Sequence, residues 1–211
     1  TEDISNLTSG LYNVSITDAN SCTISTSILL DEPTALQAGI LSTTDYNGFD
    51  ISCIGYNDGG IDLTVTGSVP GYSYLWDNNE VTEDISNLTS GLYNVSITDL
   101  NSCTISTSIT LVEPTPLTSS FVAFDINGYN VCLNGTDGSV DLTVSGSVPP
   151  YNFQWSNGFT TEDLASLGAG DYIYVATDQN GCVTTDTLAI IEPILIIEDS
   201  VNHVSCSDGI D

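Results

Sequence analysis

Apolar and polar residues alternate along most of this chain. Val140, Leu142 and Val144 are separated by Asp141 and Thr143, so they share one side of an extended segment. A period of two over such a run predicts a half-buried strand. Gly146 ends it. Pro149-Pro150 leads into a second strand, in which Tyr151, Phe153 and Trp155 alternate with Asn152 and Gln154, and Ser156-Asn157-Gly158 reads as a turn. Residues 162–167 read as a short strand or extended link. A further strand covers 172–176 and closes at the Asp178-Gln179-Asn180-Gly181 turn. Cys182 opens the last one, which runs to Glu192-Pro193. The same order appears upstream in cleaner register. Ile61, Leu63 and Val65 share a face, as do Tyr72, Tyr74 and Trp76, then Tyr93, Val95 and Ile97, then Ile105, Thr107, Ile109 and Leu111. The opposite positions are mostly Thr, Ser, Asn and Asp, which suits a solvated sheet face. No segment has a helical period. About seven short strands per 80 residues predict an all-β chain of immunoglobulin-like β-sandwiches.

The elements recur because the sequence recurs. Residues 1–34 and 82–115 differ at three positions only, Ala19/Leu100, Leu29/Thr110 and Asp31/Val112. A diverged third copy starts at Thr161, which gives spacings of 81 and 79 residues. In the other half of the unit, Cys53-x4-Asp58-Gly59 and Cys132-x4-Asp137-Gly138 each precede a Trp that lies 23 residues after the Cys. Glu32-Pro33, Glu113-Pro114 and Glu192-Pro193 punctuate the array, and Pro restricts the residue before it and ends strands. With boundaries there, 1–33 is the end of a truncated module, 34–114 and 115–193 are complete modules, and 194–211 begins another. A period near 80 residues is too long for a solenoid and fits tandem small domains placed head to tail. Thr1-Glu2-Asp3 lies inside a repeat, so the sequence reads as a piece of something longer.

Charge changes the picture of partners. The 211 residues include 28 acidic side chains and no Lys or Arg, for a net charge of −28. Such a charge raises the question of disorder, but 40% hydrophobic content in regular alternation answers for folded strands. Carboxylate repulsion has to be relieved by solvent, salt or bound cations. Nucleic acid and anionic membrane surfaces are poor partners for such a surface. No apolar run is long enough to span a bilayer.

Two aromatic patterns strengthen the sandwich. Trp76 and Trp155 stand where the core Trp of the third strand belongs. Leu88-x-x-Gly91-x-Tyr93 and Leu167-x-x-Gly170-x-Tyr172 have the spacing of a tyrosine corner. Taken together, Cys-x4-Asp-Gly, Gly-Ser-Val-Pro-Pro-Tyr-x-Phe-x-Trp-Ser-Asn-Gly, Leu-x-x-Gly-x-Tyr, Thr-Asp-x-Asn-(Gly/Ser)-Cys and Glu-Pro resemble the SprB repeat. That family is named for a giant gliding-motility adhesin of Bacteroidota. The resemblance spans essentially the whole chain, although Gly-Ser-Val replaces the usual Gly-Gly and Pro70-Gly71 replaces Pro-Pro. It implies export by the type IX route, an extracellular position on the outer surface of the cell, and adhesion or gliding. The partners it implies are neighbouring modules of the same chain, the motility or secretion machinery, and an external surface or polysaccharide. It also implies O-glycosylation at Thr187 and Ser200, since Asp186-Thr187-Leu188 and Asp199-Ser200-Val201 are similar to the short bacterial motif. Asn6, Asn13, Asn87, Asn94 and Asn134 fit N-x-Ser/Thr, a frequent pattern in so Ser/Thr-rich a chain.

Of the six cysteines, Cys53 and Cys103 are 50 residues apart, as are Cys132 and Cys182. No C-x-x-C occurs and His203 is the only His, so zinc ligation is a poor reading and disulfides a good one. Equal spacing suggests one bridge inside each module. Sandwich topology objects, because the two cysteines fall at opposite ends of a strand roughly 20–30 Å long. Head-to-tail modules would instead bring Cys53 to Cys182. Both pairings stand at this point. The same junctions would gather Asp58, Asp62, Asp137, Asp141, Asp99 and Asp178, a candidate Ca²⁺ set. The alternative is that Asp, Asn and Gly are simply good turn formers. No other cofactor is indicated.

An enzyme is not expected. Repeated His-based triads are impossible, Lys and Arg are absent, and a sandwich of this size offers little cleft for a carboxylate pair. The expectation is a structural stalk of a long surface adhesin, with a module that itself binds polysaccharide as the alternative.

Overall fold

Alternation does give strands, and the turns fall at the expected Gly, Asn and Pro positions. In the computed structural model, which describes residues 3–124 and 128–194, the chain opens with a hairpin of β1 (Gly10–Thr17) and β2 (Thr23–Leu30). The first complete repeat holds β3 (Gln37–Thr43), β4 (Gly59–Thr66), β5 (Ser73–Trp76), β6 (Ile85–Leu88), β7 (Gly91–Thr98) and β8 (Thr104–Leu111). The second holds β9 (Thr118–Ala123), β10 (Gly138–Ser145), β11 (Asn152–Trp155), β12 (Leu164–Leu167), β13 (Gly170–Thr177) and β14 (Val183–Ile190). There are six described strands in each, one fewer than the pattern predicts. The stretch between β3 and β4, which carries Cys53, forms turns and no ladder.

Strand order is the same in both repeats: β3-β4-β6 with β5-β7-β8, and β9-β10-β12 with β11-β13-β14. The strands pair antiparallel, as in Val140↔Ala123 and Trp155↔Tyr174. This is the immunoglobulin-like, all-β arrangement that the alternation predicts.

The chain forms two compact units. One holds the residues up to Ser42, with Asp62–Ile85 and Tyr93–Ile109; the other holds Thr43–Ile61, Ser86–Leu92 and the chain from Thr110 on. In the second unit, Val140, Leu142, Val144, Trp155, Leu164, Leu167, Tyr174, Ala176, Leu188 and Ile190 fill one core between two sheets. The Trp155 and Tyr174 rings lie 5.2 Å apart at 52°, an inclined contact that aromatic quadrupoles favour. In the first unit Trp76 pairs with Val95 across β5 and β7, and both are buried.

Hydrogen bonds place the aromatics as their motifs require. Trp76 Nε1 donates to the Thr82 carbonyl and Trp155 Nε1 to Thr161, each at 2.9 Å. The Tyr172 hydroxyl donates to the Gly168 carbonyl at 3.1 Å, and Tyr12 makes the same bond to Thr8 at 2.8 Å. These are tyrosine corners. Tyr93 is half-buried at the matching position of β7. The Asp of each Thr-Glu-Asp motif ties its loop to a neighbouring strand, since Asp84 accepts from the Leu63 amide and Asp163 from Leu142, both at 3.0 Å.

Identical sequence does not mean identical burial. Val95 and Ile97 are 1% and 0% exposed, but Val14 and Ile16, their equivalents in the hairpin, are 49% and 60% exposed. The β1–β2 hairpin has strands of the same length as its copy β7–β8, and in each the two strands are neighbours. Among the described residues its sheet has two strands only, and burial is supplied by an opposing layer rather than by the strand itself.

Candidate functional site: the Cys53–Cys182 junction

The loop between β3 and β4 is held in shape by carboxylates. Asp58 accepts from the Ser52 amide at 3.1 Å and from the Ser52 hydroxyl. Asp50 accepts from the Val112 amide at 2.8 Å, and the Asp50 amide returns a bond to the Val112 carbonyl at 2.9 Å. Glu113, of the Glu-Pro pair, accepts from the Gly55 amide at 2.7 Å. Its counterpart Glu192 accepts from the Asn134 amide at the same 2.7 Å. So the punctuating Glu fixes the cysteine loop to the end of the last strand. From sequence, Glu-Pro reads as a boundary only; the repetition of Glu beside Pro in three copies was the available signal.

The turn between β13 and β14 is organised by one buried aspartate. Asp178 accepts from the Asn180 amide at 2.9 Å, the Cys182 amide at 2.8 Å, the Val148 amide at 3.1 Å and the Ser147 hydroxyl. Burial alone would raise its pKa. The Ser147 hydroxyl and the three amides outweigh burial and hold the carboxyl below its ordinary value. Asp99 is built the same way with Ser68, Cys103, Val69 and Asn101, and the Ser68 bond leads in lowering its pKa.

These two loops meet within the second unit. Cys53 and Cys182 form a disulfide across 129 residues of sequence, with Cα atoms 5.6 Å apart. Asn180 Nδ2 donates to the carbonyls of Tyr46 at 3.0 Å and Ser52 at 3.2 Å, and Asn47 Nδ2 donates to Asn180 Oδ1. The Cys182 sulfur lies 3.2 Å from the Ser52 carbonyl oxygen. The contact is made by neutral amides and carbonyls, which a chain without cations can bring together without charge repulsion.

The in-module pairing is therefore overturned. Cys182 is bonded to Cys53 rather than Cys132, and Cys103 is a free, exposed thiol rather than the partner of Cys53. The reason is the one that topology gives: the two cysteines of one repeat sit at opposite ends of its sandwich. Cys132 is itself disulfide-bonded, and Cys22 is free and exposed.

The aspartates named as candidate cation ligands lie in separate loops and strands. No group of three or more His, Cys, Asp or Glu side chains is gathered for a metal among the described residues. Asp58, Asp99 and Asp178 spend their oxygens on amides and hydroxyls, those of Asp58 within its own loop and those of Asp99 and Asp178 in their own turns and in the neighbouring loops at Ser68 and Ser147. Asp137 accepts from the Cys132 amide at 3.1 Å, Asp62 accepts from the Ser42 hydroxyl at 3.4 Å, and Asp141 is exposed on β10. Thr187 is exposed on β14. Ser200 and His203 lie outside the described residues.

The comparisons agree with the motifs. The family model described as SprB repeat matches residues 49–81 and 130–160. Those two stretches are similar to the SprB repeat. The two matched stretches run from the cysteine loop to the turn after the core Trp, once in each complete repeat. A search of curated proteins finds no match. Among solved structures, the chain is similar to a crystal structure of the N-terminal eight Ig domains of Down Syndrome Cell Adhesion Molecule (DSCAM) isoform 1.30.30. Identity is 12% and the TM-score 0.30, over 87% of this chain and 31% of that one. The chain thus spans about a third of that structure's length.

Proposed function

We propose that these SprB repeats are a stalk segment of a long, secreted cell-surface adhesin, serving surface adhesion or gliding. The observation that carries the reading is the Cys53–Cys182 bridge, which joins one repeat to the next covalently. A staple between consecutive repeats keeps the 129-residue stretch between the two cysteines from extending under a pulling force, as a fibre under load needs. The bridge also supports an oxidising, extracellular setting, and near-identical copies such as 1–34 and 82–115 support extension by duplication. The strand aromatics do not favour a sugar platform, because Trp76, Trp155 and Tyr174 are buried. Export by the type IX route and contact with motility machinery belong to this reading through the family.

The test is deletion of one repeat from the full-length surface protein. The expected result is a fibre shorter by one repeat on cells that still adhere. Loss of adhesion, together with tight binding of this 211-residue chain to a glycan array, would transfer the adhesive role to the repeats themselves.

A further inference from the structure

The turn that receives Cys53 is present in a second, exposed copy. Around Cys103, Asp99 accepts from the Asn101 amide at 2.9 Å and the Cys103 amide at 2.7 Å. The equivalent distances around Cys182 are 2.9 and 2.8 Å. Ser68 bonds Asp99 as Ser147 bonds Asp178. The framework is the same, and what differs is what lies on it. Cys182 is 7% exposed and Asn180 is half-buried under the Tyr46–Cys53 loop, whereas Asn101 and Cys103 are exposed.

We infer that the Asn101–Cys103 turn is a docking site for the cysteine loop of another SprB repeat of the kind found at 45–53. Asn101 would donate to two backbone carbonyls of that loop, as Asn180 does to Tyr46 and Ser52. Cys103 would then bond its cysteine. In that step two thiols lose two protons and two electrons to a disulfide oxidant such as oxidised glutathione, which is reduced to two thiols. One S–S bond forms between the repeats and one breaks in the oxidant. The occupant is specified by an interface already present in the molecule. Cys53 cannot itself fill the site while bonded to Cys182, and Cys132 is itself disulfide-bonded, so the loop is expected from an additional repeat.

The repeat spacing supplies the experiment. Residues 1–81 are duplicated ahead of Thr1, which continues the 81-residue period. The added equivalent of Cys53 then stands 131 residues before Cys103, the 50 between Cys53 and Cys103 plus the 81 added, against 129 for the existing bridge. After refolding with oxidised and reduced glutathione, non-reducing peptide mapping should show the added cysteine bonded to Cys103. Alkylation of Cys103 should fall at least tenfold. The added cysteine bonded to Cys22, its partner within one repeat, would overturn the inference. So would a Cys103 that stays fully alkylatable while the Cys53–Cys182 peptide is intact. A second version with Ser at the added cysteine reads docking without oxidation. There, amide exchange at Ser102 and Cys103 should slow at least tenfold relative to the unextended chain, and unchanged exchange would overturn the inference. Failure on both counts leaves the stalk reading standing, since that rests on the Cys53–Cys182 bridge alone.

Discussion

A methyl group on Gly146 would sit 2.0 Å from the Pro116 carbonyl oxygen, and one on Gly67 would sit 2.1 Å from that of Ala35. Both glycines also have φ above +80°, a region that side chains resist. The Gly146 carbonyl accepts from the Tyr151 hydroxyl at 2.6 Å, so the backbone cannot shift without losing that bond. Gly146→Ala is expected to cost more than about 1 kcal/mol, read as a lower urea midpoint, and Gly158→Ala, whose Cβ meets nothing within 4 Å, should cost less. Asp178 gives the second residue-level prediction. Its folded pKa is depressed, so between the folded and unfolded values the unfolded chain binds the extra proton. Its contribution is present above the unfolded value of about 3.9 and is lost as pH falls through the folded one. Asp178→Asn should lower stability at pH 7 by about 1–3 kcal/mol and flatten the loss of stability as pH falls below the unfolded value. A variant with an unchanged acid limb would show that the carboxylate does not hold the turn.

At the scale of elements, the two complete repeats reach one core by different side chains. Val95 and Ile97 of β7 correspond to Tyr174 and Ala176 of β13, and all four are buried. A larger residue at one position is offset by a smaller one two places on, so total volume is roughly kept. Tyr174 also reaches β9, where its hydroxyl bonds Ser119 Oγ at 2.7 Å. Tyr174→Val should leave a cavity, and Ala176→Ile should overfill its site, each costing about 1–3 kcal/mol. The double variant rebuilds the β7 pair, and its cost should fall short of the sum by at least about 0.5 kcal/mol. Strict additivity in denaturant titrations would refute the compensation. Strands, core tryptophans and the tyrosine corner at Tyr172 were legible because period-two alternation and fixed spacings are local properties. Tyr174 escaped because it occupies a Val position in the better-patterned copy. The cysteine pairing was legible only as two alternatives, because it depends on how chain ends of different repeats meet. The roles of Glu113 and Glu192 were hidden for a similar reason, since each bonds an amide 58 residues away in sequence.

For the whole molecule, the absence of Lys and Arg is the governing fact. Buried side-chain polar atoms are satisfied, with none left without a partner among the described residues, and this is done by amides, hydroxyls and carboxylates without one Lys or Arg. What remains is the mutual repulsion of 28 acidic side chains, most of it at the surface. Repulsion of this kind is screened over a Debye length of about 30 Å at 0.01 M salt and about 8 Å at 0.15 M. The unfolded chain relieves it by expanding, so the compact state gains from salt. The disulfide acts in the same direction, because closing a loop of 129 residues restricts the unfolded chain by about 5 kcal/mol in the chain-entropy model. Reduction should therefore increase the dependence on salt. The expected result is a thermal midpoint that rises steadily from about 0.01 to 0.5 M NaCl, more steeply after reduction with dithiothreitol than before. Since the carboxylates of Asp58, Asp99 and Asp178 already accept bonds within their loops, CaCl₂ and MgCl₂ at equal ionic strength should give equal midpoints. A Ca²⁺-specific rise abolished by chelator would instead show a built cation site. A midpoint indifferent to NaCl would mean that the carboxylates are spaced too widely for their repulsion to bear on folding.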